Sequence, residues 1–80
     1  MTYRVQYSGE AQANVDALPA DIRRRFDADL ARLAGDPYGM GSKAIRERDY
    51  RQTVLGGCIT VYYVGATVRV VSVVRVQGPP

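Results

Sequence analysis

From Asp49 to Val76 the chain is a run of β-branched and aromatic residues in which Gly56-Gly57 and Gly65 are the only glycines. It reads as three consecutive β-strands. A sheet of that kind needs one face covered, and the residues before it supply the cover. Eighty residues make a single domain, 1–80 with a short tail at 76–80, whose core removes roughly 60% of the unfolded chain's surface from water.

The last two strands allow a register to be proposed. Gly65-Ala66 suits a two-residue hairpin loop with glycine at its first central position, the requirement of a type II′ turn. That turn would oppose Tyr63 to Val68, Val61 to Val70 and Ile59 to Ser72, and opposed residues share a face. One face then carries Ile59, Val61, Tyr63, Val68, Val70, Ser72, Val74 and Val76, and is expected to be the core. The other carries Cys58, Thr60, Tyr62, Val64, Thr67, Arg69, Val71, Val73 and Arg75. This mixed face is the expected working surface. Its apolar content fits cover by a partner, a second copy or the chain's own loops. It equally fits residues chosen for strand propensity, and composition leaves both readings open.

In the first half, Tyr3-Arg-Val-Gln-Tyr7 alternates as a strand with Tyr3, Val5 and Tyr7 inward. Ser8 suits a helix N-cap, with Glu10 in the first turn and Ala11, Val15 and Leu18 at helical spacing. Pro19 opens a second helix, because proline is tolerated in a first turn. There Ile22, Phe26, Leu30 and Leu33 form the apolar stripe, and Gly35 with Asp36-Pro37 ends it. The two helices form an antiparallel hairpin. Gly39-Met-Gly41 reads as a loop, and Lys43 to Asp49 as a charged connector without a clear period.

Charge is divided unevenly along this plan. Residues 1–42 hold five arginines against six acids, whereas residues 43–80 hold six cations against Glu47 and Asp49. The sheet half is therefore basic, which permits a polyanion or an acidic protein partner, although charge alone favours a generic solvated surface. One cysteine, Cys58, excludes an intrachain disulfide and fits a reducing compartment. No apolar run reaches the ~18 residues of a membrane span, and Met1-Thr-Tyr-Arg-Val lacks a signal peptide's apolar segment, so a cytoplasmic location is expected.

Most local motifs carry no chemistry. Asp27 and Asp29 diverge on a helix, and Arg23-Arg24-Arg25 splays around its axis. Cys58 has no histidine or second cysteine to ligate a metal with, and the glycine pairs lack the lysine of a phosphate loop. No cofactor or metal is implied.

The order strand, helix hairpin, three strands resembles the RelE/ParE family of type II toxins. The residues carrying the resemblance run nearly the whole chain: Tyr3-Arg-Val-Gln-Tyr-Ser8, Ala11, Ala13, Leu18-Pro19, Ile22, Leu30-Ala-Arg-Leu33 and Asp36-Pro37. They continue in Tyr50-Arg51, Gly56-Gly57, Val61-Tyr-Tyr-Val64 and Ser72-Val-Val-Arg75. The Arg, Ala, Val and Gly usage is that of short actinobacterial members. The resemblance implies an α+β fold of order β-α-α-β-β-β, with the last three strands antiparallel. It further implies a toxin held by a cognate antitoxin, whose leading expected activity is ribosome-dependent messenger RNA cleavage or a degenerate form of it, with poisoning of DNA gyrase as the other branch. A non-catalytic protein-binding or self-associating homodimeric module of the same fold is the alternative.

In the nuclease branch, cations on the sheet hold phosphate and stabilise the charge that builds up during attack by a ribose 2′-hydroxyl. Arg51 and Arg75 match the family's cations and would be the catalytic pair, if Arg51 points with Arg75. Lys43, Arg46, Arg48 and Arg69 would help bind RNA, with Tyr62 as a stacking surface. The chain departs from the family at Ile59 and Thr60, where an arginine is usual. It also shows no tyrosine or histidine in Gln77-Gly-Pro-Pro80, where nuclease members often carry one for proton transfer. With no histidine in the sequence, a proton would move through Tyr62, Glu47 or a perturbed lysine.

Overall fold

A computed structural model describes residues 2–39 and 41–79. Met1, Met40 in the Gly39–Gly41 loop and Pro80 of the tail lie outside the described residues. The element order is β1 (Arg4–Tyr7), α1 (Gly9–Asp16), α2 (Ala20–Gly35), β2 (Lys43–Ile45), β3 (Glu47–Leu55), β4 (Cys58–Gly65) and β5 (Val70–Gln77). These strands form one sheet in the order β1-β5-β4-β3-β2. The sheet is mixed: β1 lies parallel to β5, and the other pairings are antiparallel. The expected α+β plan holds, with one strand added and the tail shortened, because β5 runs on through Gln77.

The helical half follows its sequence signals. Ser8 caps α1 by accepting the Ala11 N–H at 3.0 Å, and its own hydroxyl donates to Val74 O at 2.9 Å, which ties the helix start to β5. Pro19 stands at the N-cap of α2, and Phe26, Leu30 and Leu33 are buried on the inner stripe with Ile22 packed beside them. Tyr3, Val5 and Tyr7 lean on the same core.

The connector is the first departure. Lys43–Ile45 is a short edge strand that reverses through Arg46, whose φ of 71° is left-handed, straight into β3. With three residues and Lys43 its one charge, the strand is too short to show a period, as edge strands often are.

The second departure concerns which face is buried. The loop after β4 is Ala66–Arg69, so Gly65 opposes Val70 and Tyr63 opposes Ser72. This shift preserves alternation, so Ile59, Val61 and Tyr63 still share a face with Val70 and Ser72. That face is the outer one. The helices cover Cys58, Thr60, Tyr62, Val64, Val71 and Val73 instead, all of them buried, while Ile59, Tyr63 and Val68 are 41%, 42% and 70% exposed.

Polar atoms on the inner face cost nothing decisive because each has a partner. Thr60 Oγ1 donates to Cys58 O at 3.1 Å, and the Tyr62 hydroxyl lies 2.6 Å from Pro37 O. Strict alternation would also drive Arg75 into this core. A bulge at Val74 prevents it, since Tyr62 opposes Val73 but Val61 opposes Arg75. Arg75 turns out to solvent and Val76 turns in.

One tie holds α2 to the β3–β4 hairpin. Asp29 Oδ2 accepts the Gly56 N–H at 2.8 Å, and Arg32 pairs with the same carboxylate. The Gly56 hydrogen bond holds the Asp29 carboxyl below the usual carboxylate range, with Arg32 contributing in the same direction. A depressed carboxyl stabilises the fold fully above its unfolded pKa of ~3.9 and loses that contribution as pH falls through its lower folded value. Asp29→Ala is therefore expected to lower unfolding free energy by about 1–2 kcal/mol at pH 7. In urea titrations repeated down the pH scale, the gap from wild type should close below about pH 4.

Candidate functional site

Register fixes what each face offers. On β3, Thr53 and Leu55 are buried, so alternation turns Arg51 toward the helix side and Tyr50, Gln52 and Val54 outward. Arg51 directly opposes buried Tyr62, and Arg75 opposes Val61 on the other side of the sheet. The two arginines of the expected catalytic pair thus lie on opposite faces, and the condition that they point together is not met.

Arg51 is bound into the fold. Its guanidinium donates to Arg48 O at 2.8 Å, to Ser42 O at 3.1 Å and to Ser42 Oγ, and it sits 5.3 Å from the Tyr38 ring centroid. Tyr62 shares this network and is wholly buried, so it offers neither a stacking surface nor a proton route. Pro37 O can only accept, so the single Tyr62 proton goes there; Ser42 Oγ, 2.7 Å away, then donates to Tyr62 and accepts from Arg51. The chain of bonds runs Arg51, Ser42, Tyr62, Pro37. It fastens the segment after α2 across the end of the sheet.

Arg48 stays at the rim, paired with Asp49 at 3.1 Å and 5.4 Å from the Tyr38 ring centroid. The Tyr38 hydroxyl donates to Asp49 at 2.7 Å. That bond holds the Asp49 carboxyl low, aided by Arg48, and raises the Tyr38 hydroxyl. Lys43 opposes Gln52 and shares the outer face with it. Arg46 and Arg69 are exposed at left-handed turn positions. Glu47 accepts a hydrogen bond from Tyr63, which raises that hydroxyl, so the acid is engaged at the rim. Of the seven residues nominated, the structure brings only Arg75 and Lys43 onto the open face of the sheet proper.

The residues missed by sequence reasoning are those between them. Tyr50 opposes Tyr63, Gln52 opposes Val61, and Val54 opposes Ile59. The signal was present in Gly56-Gly57: both have positive φ, 58° and 81°, and form the two-residue reversal between Leu55 and Cys58. Reading the register from that turn pairs Arg51 with Tyr62 directly. Among the described residues no group of three acid, cysteine or histidine side chains could hold a metal, and no helix is long and apolar enough to cross a membrane.

No family model matches the sequence, and no curated protein does either. Solved structures do match along the whole chain. A chain of the RelBE2 toxin–antitoxin complex from Mycobacterium tuberculosis superimposes with a TM-score of 0.81 at 20% identity, covering 98% of this chain and 99% of that one. The isolated RelE toxin of E. coli gives 0.84 at 21% identity, covering 98% and 85%. The archaeal RelE–RelB complex from Pyrococcus horikoshii gives 0.74 at 20%, covering 98% and 96%. With the strand order, the helix pair and the open sheet face already established, these matches identify the fold of this chain as that of the RelE toxins.

Proposed function

We propose that this protein is the toxin of a toxin–antitoxin pair, held by a protein antitoxin, and that it acts by binding a protein target rather than by cutting messenger RNA. The observation supporting the toxin reading is end-to-end agreement with a chain of a toxin–antitoxin complex, at 98% and 99% coverage. Fold alone does not select an activity. The choice between binding and cleavage rests on the outer face.

Ribosome-dependent cleavage would need several cations converging on one phosphate. Arg51 is on the inner side, Tyr62 is buried, and the strand positions between Arg75 and Lys43 carry Val61 and Gln52. Losing even one charge-stabilising donor costs about 2.7–4 kcal/mol of transition-state stabilisation. A protein target, DNA gyrase among the candidates, makes no such demand.

Induced expression in a host lacking the antitoxin tests both parts. Growth arrest without cuts at ribosomal A-site codons is expected. A-site cuts that disappear in Arg75→Ala would restore the nuclease reading, and no arrest at all from folded protein would sink the toxin reading.

A further inference from the structure

β1 pairs with β5 as far as Tyr7 opposite Val73, where the Ser8 N–H donates to Val73 O at 2.9 Å. Beyond that point the chain turns into α1, and the rest of β5 runs beside the helix instead. The bulge at Val74 falls in this stretch. Two side chains of the helix take over there from the ladder, one at its N-cap and one within it. The Ser8 hydroxyl donates to Val74 O at 2.9 Å, and Asn14 Oδ1 accepts the Val76 N–H at 3.0 Å.

These partners fit one register of β5 and not the other. Alternate residues of a strand turn their N–H and C=O toward the same neighbour, so after Val73 an unbroken β5 would present both groups of Arg75 to α1. The groups bonded there are Val74 O and the Val76 N–H, as a residue inserted at Val74 brings about. The same step decides the side chains. Unbroken pairing would set Arg75 opposite buried Thr60 and Val76 opposite exposed Ile59. The bulged pairing sets Arg75 opposite Val61 and leaves Val76 4% exposed. Asn14 is half-buried on the helix stripe of Ala11, Val15 and Leu18, where an amide needs a partner. The Val76 N–H supplies it.

From this geometry we infer that Ser8 and Asn14 are positioning residues for Arg75: their side chains select the bulged register of β5 and so put the guanidinium on the outer face of the sheet. The apolar pattern acts in the same direction, because Val76 reaches the core only in that register. Without the two side chains, the end of β5 would be held by β4 on one side and by that single valine. A carbonyl and an N–H would lose their partners at the same time, and the end of a strand is where local opening starts. The inference concerns where Arg75 stands and not what it acts on. It goes beyond the toxin reading, and neither depends on the other.

Thiol labelling of the folded protein decides it. In a Cys58→Ala background, single thiols are introduced by Arg75→Cys, by Val76→Cys and, to report whole-domain unfolding, by Val64→Cys on the inner face of β4, where the valine is 1% exposed. Each is combined with Asn14→Leu, which suits the apolar stripe but cannot accept the Val76 N–H. Ser8→Asp is added, since its carboxylate still caps α1 but has no proton for Val74 O. With Ser8 and Asn14 intact, position 75 should label fast and positions 76 and 64 slowly. Ser8→Asp with Asn14→Leu should shrink the contrast between 75 and 76 at least about tenfold while position 64 stays protected. Asn14→Asp, which keeps an acceptor oxygen, should preserve the protection of position 76 that Asn14→Leu loses. An unchanged contrast between 75 and 76, a rise at 76 matched by an equal rise at 64, or Asn14→Asp no better than Asn14→Leu would overturn the inference.

Discussion

Gly56→Ala is expected to lower unfolding free energy by about 2–5 kcal/mol, enough to leave a domain of this size largely unfolded or close to it. Two independent costs combine. The backbone at Gly56 has φ of 58°, where an L side chain costs ~1–2 kcal/mol. A methyl there would also lie 2.6 Å from the backbone nitrogen of Phe26 and 2.8 Å from its Cα. Those atoms belong to α2 and cannot swing aside as a flexible side chain would. The helix would be pushed off the hairpin, and the Asp29 hydrogen bond to Gly56 would lengthen with it. Gly57→Ala is the internal control. Its φ is 81°, but an added methyl meets nothing nearer than 3.9 Å, so only the conformational cost of ~1–2 kcal/mol remains. Urea unfolding of both variants beside wild type measures the difference, and equal losses would show that the close approach of α2 is not what constrains Gly56.

The helical half and the strand positions were largely legible because their signals are local. Ser8, Pro19, Gly35 and the Phe26–Leu33 stripe each act within a turn or two, and no tertiary contact had to be known to place them. The buried face of the sheet was not legible in the same way. Counting apolar residues favours the Ile59, Val61, Tyr63 side, yet the choice turns on whether Tyr62, Thr60 and Cys58 find partners. Tyr62 finds its own in Pro37 and Ser42, some twenty residues away in sequence. Arg75 was misplaced for a different reason: a single bulge at Val74 reverses every later side chain, and alternation in sequence gives no hint of it.

An apolar count nevertheless carried information about the site. A strand set with one nearly apolar face and a second, mixed face still rich in valine has, in so small a domain, more apolar surface than one helix pair can cover. The residue-level expectation of cover by a partner was attached to the wrong side, but the surplus is real. It lies at Val54, Ile59 and Tyr63, which the fold leaves 59%, 41% and 42% exposed.

Arg51→Ala and Arg75→Ala should therefore behave as opposites rather than as a pair. Truncating Arg51 removes charge-assisted bonds to Arg48 O and Ser42 O, the bond to Ser42 Oγ, and the cation stacked near Tyr38. The expected loss is about 2–3 kcal/mol, or a fall in Tm of order 10 °C for a domain this short. Arg51→Lys should recover little of it, because an ammonium cannot serve the Arg48 and Ser42 acceptors with one planar fork. Arg75, exposed on the outer face, should cost within about 0.5 kcal/mol when truncated. If both residues acted on a bound phosphate, each variant would instead keep its stability and lose function. The comparison needs thermal melts alongside growth assays, since loss in Arg51→Ala of the growth arrest expected of the proposed toxin would follow at 37 °C from a depleted folded population alone. Equal melting temperatures for Arg51→Ala and wild type would return Arg51 to the list of functional cations and count against the Ser42–Tyr62–Pro37 network as its purpose.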